Sequence, residues 1–181
     1  MMIHILVAIL AYIPALSANS LAVVFGGGPP IDSGKSWGDE RILGDGKTWR
    51  GLLGGGLSAG AVGLLLYVVM SPFFHIYPTF GQAVVIAFSF SFGSLLGDIG
   101  ASFVKRRMGK KRGEKAHMLD QYDFVVGSLL LALIFSPRWL LSTYFYGKGI
   151  YALILILIMT PFLHRAINIL GYKLGMKKEP W

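Results

Sequence analysis

The sequence predicts an all-α, polytopic membrane protein of about five transmembrane helices joined by cytoplasmic loops. Three observations carry that expectation. Of 181 residues, 54% are hydrophobic and only 14% are charged, where an ordinary soluble domain carries about 25% charged residues. The mean hydropathy is +0.61. The charges also cluster, with no Asp, Glu, Lys or Arg from Met1 to Ile31, Gly51 to Gly97, Phe124 to Pro137 or Gly149 to His164. Such a composition argues against a soluble globular enzyme and against a disordered or fibrous chain. With no cysteine in the sequence, disulfides, thiolate zinc sites and cysteine nucleophiles are excluded.

The helices follow from the uncharged gaps, because a hydrocarbon core of about 30 Å needs about 20 apolar helical residues. The first gap fits one span, Ile3 to Phe25. The second is too long for one helix and is broken at Ser71-Pro72-Phe73-Phe74-His75-Ile76-Tyr77-Pro78, which gives spans at Leu52–Met70 and Thr79–Gly97. A fourth begins around Leu119–Phe124 and ends near Trp139, and a fifth runs from Gly149 to Leu170. The expectation is one integral-membrane domain over residues 1–181, with loops at about 26–50 and 98–119 and a tail at about 171–181.

Lys and Arg set the orientation of such a bundle. Fifteen of the seventeen fall at 35–50, 105–115 and 165–178, and only Arg138 and Lys148 lie on the other side. The rich side is expected to be cytoplasmic, with the N-terminus outside and the C-terminus inside. No basic residue precedes the first span, so a signal peptide is a poor description of it. All nine acidic residues fall on the basic side as well. Acids have little part in setting topology, and a cytoplasmic reaction centre at the membrane surface is the simplest cause.

Gly34-Lys35-Ser36 and Gly46-Lys47-Thr48 suggest a phosphate loop, but the glycine required five positions earlier is Pro29 in one case and Arg41 in the other. Gly44-Asp45-Gly46-Lys47-Thr48-Trp49-Arg50-Gly51 nevertheless enters a membrane helix, where free N–H groups, Lys47 and Arg50 suit an anion. The plainer alternative is a polar loop with snorkelling basic residues. The glycine spacings 51/55 and 56/60 read as close helix packing in lipid.

The strongest feature is Gly97 to Phe124. Asp98 lies at the cytoplasmic end of the third span, and Asp120 and Asp123, three apart, share a face at the start of the fourth. Carboxylates at membrane helix ends are costly unless paired or metal-bound. Three of them on two facing helix ends suit Mg²⁺, completed by water and substrate phosphates. Seven basic residues between them can contact a triphosphate and a phospholipid. A polybasic headgroup anchor with salt-bridged acids is the plainer reading, but it has no need of framing aspartates. The patch is short, juxtamembrane and poor in interleaved aromatics, which argues against nucleic acid. The four histidines show no paired metal-ligand spacing, and Asn19 and Asn168 suit caps or interhelical hydrogen bonds.

The order Gly97-Asp98, Ser102-x-x-Lys105-Arg106-x-x-Gly109-x-Lys111, then Leu119-Asp120-x-x-Asp123 resembles the cytidylyltransferase signature of CDP-diacylglycerol synthases. Lys47-Thr48-Trp49-x-Gly51-x-x-Gly54-Gly55 resembles their Lys-Thr-aromatic-x-Gly loop. Arg112, Gln121 and Gly113-Glu114-Lys115-Ala116-His117 depart from that pattern. The short length and the run from Pro30-Ile31-Asp32 through Arg41-Ile42-Leu43-Gly44-Asp45 to Gly51 are more similar to the archaeal branch, the CDP-archaeol synthases.

The resemblance implies transfer of CMP from CTP to 2,3-bis-O-geranylgeranyl-sn-glycerol 1-phosphate, giving CDP-archaeol and pyrophosphate, with Mg²⁺ required and Mn²⁺ as an alternative. It implies Asp98 and Asp120 as catalytic metal ligands, with Asp123 as a third ligand or just outside the ligand shell. It further implies Lys105, Arg106, Lys111 and Arg112, with Ser102, on the triphosphate and leaving pyrophosphate. Lys47, Thr48 and Arg50 would bind nucleotide or lipid phosphate on the opposite wall, and the prenyl chains would lie in a groove between glycine-lined helices. Other readings are a synthase acting on phosphatidic acid and a membrane transporter or lipid-binding protein. A CDP-alcohol phosphotransferase is disfavoured because its Asp-Gly-x-x-Ala-Arg pattern is absent. A transporter would place ionisable residues mid-span or in inverted repeats.

Overall fold

The computed structural model describes residues 2–110 and 117–175. Among the described residues, five helices long and apolar enough to cross a membrane form the body. They are α1 (Met2–Val24), α2 (Trp49–Met70), α3 (Phe80–Arg107), α4 (His117–Phe135) and, after a short α5 (Pro137–Leu140) and a π-helical turn at Leu141–Phe145, α6 (Gly149–Lys173). The chain between α1 and α2 carries one two-stranded antiparallel hairpin, β1 (Ser36–Trp37) and β2 (Glu40–Arg41). This is the expected all-α multi-pass membrane architecture.

Two boundaries differ most from the expectation. The third helix does not stop at Gly97 but runs ten residues further, so that Lys105, Arg106 and Arg107 form its last turn. A charged segment leaves the hydrocarbon without leaving the helix, because basic residues at a helix C-terminus complement the exposed carbonyl dipoles. The fourth helix ends at Phe135, before Ser136-Pro137 rather than near Trp139. The proline has no N–H to continue the helix and serves instead as the first residue of α5.

Small residues set how closely the helices approach. Ala8, Ala11, Ala15 and Ala18 line the buried side of α1. Gly51 and Gly55 of α2 face Ala22 of α1, and Gly56 and Gly60 face Phe92 and Phe88 of α3. Both glycine spacings read from the sequence therefore pack helices. A further contact joins α3 to α4, where Gly93 and Gly97 meet Gly127 backbone to backbone. A Cβ on Gly97 would overlap the carbonyl oxygen of Asp123. With no hydrophobic drive between helices in lipid, such close contact is what holds them together.

The end of the bundle away from the hairpin is filled by aromatic rings. Tyr12, Phe90, Trp139 and Tyr144 contact one another edge-on at centroid distances of 5.0 to 6.0 Å. Their hydroxyls are satisfied inside the protein. Tyr144 donates to the Ala8 carbonyl at 2.7 Å, Tyr77 donates to that of Ala11 at 3.0 Å, and Tyr12 pairs with Ser128 at 2.6 Å.

Candidate active site

The antiparallel run of the helices gathers the C-terminus of α1, the N-terminus of α2, the C-terminus of α3 and the N-terminus of α4 at one end. Asp98, Ser102 and Lys105 stand four and three residues apart on α3 and so share a face. The neighbouring face, with Gly97, Ala101 and Val104, looks toward α4.

Two ion pairs cross the site. The Lys47 ammonium, arriving just before α2, pairs with Asp98 of α3. Lys105 of α3 pairs with Asp120 of α4 at 2.5 Å. All four side chains keep between 19% and 27% of their surface exposed, so a soluble anion can reach them. Asp123 lies within electrostatic range of Asp98, Lys47 and Lys105, and its Oδ1 accepts from the Phe124 N–H at 2.6 Å.

Arg106 is tethered to backbone rather than to an acid. Its Nη1 donates to the Lys110 carbonyl at 2.5 Å and its Nε reaches the Leu43 carbonyl at 3.5 Å. Thr48 is the N-cap of α2, buried, with its hydroxyl accepting from Gly51 N at 3.1 Å. Arg50, the second residue of α2, is exposed, with its stem against Gly28. Ser102 is buried. Lys111 and Arg112 lie outside the described residues.

A cavity of about 460 Å³ opens between α3 and α4. Gly93, Leu96, Val104, Val126 and Leu130 make most of it apolar, and Asp123 is the charged residue on its wall. A groove between glycine-lined helices was expected. The glycines beside it are those of the α3–α4 crossing, whereas those of α2 are filled by phenylalanine and alanine.

The three aspartates do not converge on one point. Among the described residues, no three His, Cys, Asp or Glu side chains stand together as an ion-holding group, and Asp98 and Asp120 each turn to a lysine. The donor chemistry still fits a hard cation. Mg²⁺ is commonly held by one or two carboxylates, with water and substrate phosphates filling the remaining positions. Asp98, Asp120 and Asp123 can supply such carboxylates.

The chain between α1 and α2 holds a group to which the sequence assigned no role. The Asp32 carboxylate, its side chain fully buried, is bonded by the Arg41 guanidinium at 2.7 Å and by the N–H groups of Gly34, Leu43 and Gly44 at 2.9 to 3.1 Å. Arg41 beside it, and then those backbone groups, hold its carboxyl well below the usual carboxylate range. Asp32 and Asp45 in turn raise the Arg41 guanidinium. The sequence signal is Asp32-Ser33-Gly34, an Asx-turn pattern. Arg107 likewise leaves the basic run. It donates to the carbonyls of Trp37, Glu40 and Arg41 at 2.5 to 3.3 Å and lies over the rings of Trp37 and Phe103.

A family model described as CarS-like CDP-archaeol synthase matches residues 1–181. The chain belongs to the CDP-archaeol synthase family. Relatives share that name along almost their whole length. The protein of Methanospirillum hungatei is 49% identical over 173 residues, which cover 93% of this chain and 99% of that protein. The protein of Picrophilus torridus is 45% identical over 183 residues, covering 99% and 98%. A solved intramembrane enzyme for archaeal membrane lipid biosynthesis aligns at a TM-score of 0.61 and 36% identity, over 83% of this chain and 90% of that one. CDP-archaeol synthases are nucleotidyltransferases, and this member is a multi-pass membrane enzyme of phospholipid biosynthesis.

Proposed function

We propose that the chain transfers CMP from CTP to the phosphate of 2,3-bis-O-geranylgeranyl-sn-glycerol 1-phosphate, releasing pyrophosphate and CDP-archaeol. The observation that carries this reading is the juxtaposition of two lysine–aspartate pairs with an apolar groove whose wall includes Asp123. A triphosphate needs cations, a prenyl lipid needs an apolar bed, and the transfer needs both within reach of one phosphorus atom. Family membership and the names of the relatives support the same substrates.

The phosphate of the lipid is its own nucleophile. With a second pKa of about 6 it is largely dianionic at neutral pH and needs little or no general base. One of its oxygens attacks the α-phosphorus of CTP. A new P–O bond forms, the bond from that phosphorus to the bridging oxygen breaks, and pyrophosphate carries away the electron pair. Positioning and charge neutralisation are therefore the main tasks of the protein.

Lys105 and Arg106, with Ser102, Lys111 and Arg112, bind the triphosphate and steady the departing pyrophosphate. Lys47 and Arg50 hold nucleotide or lipid phosphate from the opposite wall, and Thr48 fixes the start of α2 beneath them. Lys47 and Lys105 are each held by a single carboxylate and can exchange it for phosphate oxygens. Asp98 and Asp120, with Asp123 beside them, would hold Mg²⁺, or Mn²⁺ in its place, which offsets charge on the phosphates. The prenyl chains lie along the α3–α4 groove. Because fifteen of seventeen basic residues lie toward this end of the chain's topology, the site faces the cytoplasm, with the N-terminus outside.

The test uses purified protein, labelled CTP, the lipid phosphate and Mg²⁺. Lipid-linked CMP is expected with the wild-type chain, and Asp98→Asn and Asp120→Asn should each lower kcat/KM by about 100-fold or more. Wild-type rates in both variants would sink the assignment. Equal use of phosphatidic acid and the prenyl ether lipid would widen the substrate class.

A further inference from the structure

We propose that Asp32 is a positioning residue for this reaction: by gripping the backbone at Leu43 and Gly44 it sets where Arg106 and Lys47 meet the nucleotide. The inference rests on the function proposed above.

Asp32 Oδ2 accepts from Leu43 N at 3.0 Å and from Gly44 N at 2.9 Å. Its Oδ1 accepts from Gly34 N at 3.1 Å and from Arg41 Nη2 at 2.7 Å. The carbonyl of the same Leu43 is the one that meets Arg106 Nε. The carbonyl of the same Gly44 accepts from Lys47 N at 3.3 Å. On the other side, Ile31 N, immediately before Asp32, donates to the Lys47 carbonyl at 2.8 Å. Both basic residues are thus reached from Asp32 through one intervening residue, on two separate routes.

Arg107 holds the hairpin through the carbonyls of Trp37, Glu40 and Arg41, but it does not reach Leu43 and Gly44. The hairpin is only two residues per strand, Gly44 adopts φ +98°, and the loop contributes no residue to the main apolar core. A buried ion pair is a poor general device for stability, since desolvation offsets much of the attraction. A carboxylate whose backbone bonds converge on one peptide segment does supply a fixed position. Displacing a phosphate-binding group by about 1 Å can cost on the order of 100-fold in rate.

The experiment compares initial rates of the full-length wild type, Asp32→Asn and Arg41→Gln against CTP and against lipid phosphate. The asparagine keeps the shape but cannot accept on both sides. Its KM for CTP is expected to rise about ten-fold or more, and by more than its KM for lipid phosphate, because Arg106 serves the nucleotide alone. Arg41→Gln leaves both Asp32 oxygens on the backbone and should raise the KM for CTP by less than about three-fold.

Loss of active protein with both KM values unchanged would mark a purely structural role and overturn the proposal. So would an Arg41→Gln effect as large as that of Asp32→Asn. If Asp32→Asn does not yield folded protein, Asp32→Glu, which keeps both oxygens one methylene further out, decides by the same rise in KM for CTP. A wild-type chain that forms no lipid-linked CMP overturns the functional reading and this inference together. A working wild type with an unaffected Asp32→Asn overturns the inference alone.

Discussion

The two ends of the helical bundle satisfy their polar groups in opposite ways. At the aromatic end, Tyr144 and Tyr77 give their hydroxyl protons to carbonyls of α1, and Tyr12 pairs with Ser128, all beneath a packed layer of rings. Those buried hydroxyls already have their partners inside the protein. At the charged end, Lys47 and Lys105 pair with Asp98 and Asp120 in partly exposed contacts that a phosphate can replace. Hydrogen bonds sealed away from water lock one end. Ion pairs within reach of water keep the other available for chemistry.

The sharpest way to break that division lies on α3, where two glycines three residues apart meet different surroundings. Gly97 touches the Asp123 backbone, while a Cβ on Gly100 would meet nothing within 4 Å. Gly97→Ala should force α3 from α4 beside Asp98 and Asp123 and lower kcat/KM by about 100-fold, at a stability cost of about 1–3 kcal/mol. Gly100→Ala should keep its activity and match or exceed wild-type stability by about 0.5–1 kcal/mol. Thermal unfolding in detergent and the cytidylyl-transfer rate read both. A fully active Gly97→Ala would show that the crossing does not position the site.

A smaller effect belongs to the aromatic end. Tyr144→Phe removes one buried hydrogen bond and should cost about 1 kcal/mol in unfolding free energy. The rate should stay within about two-fold of wild type. A collapse in activity without a collapse in stability would mean that the two ends are coupled.

The smallest effect is a pH dependence. Because its folded pKa is depressed, the Asp32 carboxylate contributes stability that is fully present above its unfolded pKa of about 3.9. That contribution is lost as pH falls through the lower folded value. The difference in unfolding midpoint between wild type and Asp32→Asn should be flat from about pH 5 to pH 7 and shrink below about pH 4. A difference that vanished near neutrality would show that the carboxylate is not held in its charged form.

The five spans were legible because hydrocarbon tolerates few charges, so gaps between charges mark helices directly. The extension of α3 was harder to see. A run such as Asp98 to Arg107 resembles a polar loop in composition, although Asp98, Ser102 and Lys105 carry helical spacing. The α2 glycines announced themselves as a stripe on one segment. Gly93, Gly97 and Gly127 did not, since their meaning depends on two helices that meet only in the fold. For the same reason the site residues could be gathered from motifs while their partners could not. Lys47 with Asp98 joins residues 51 apart. Arg107 looks like its basic neighbours in sequence, yet its guanidinium is occupied by three carbonyls of the hairpin.

The length of α3 has a consequence of its own. Twenty-eight residues make a rod of about 42 Å, some 12 Å more than the hydrocarbon is thick. Asp98, Ser102, Lys105 and Arg106 are therefore mounted along a rigid mast, and the count of residues beneath them sets both their height and their compass bearing. One residue inserted lower in the mast would lift the group by only about 1.5 Å but swing it by about 100°. Evolution can lengthen such a helix comfortably only by whole turns.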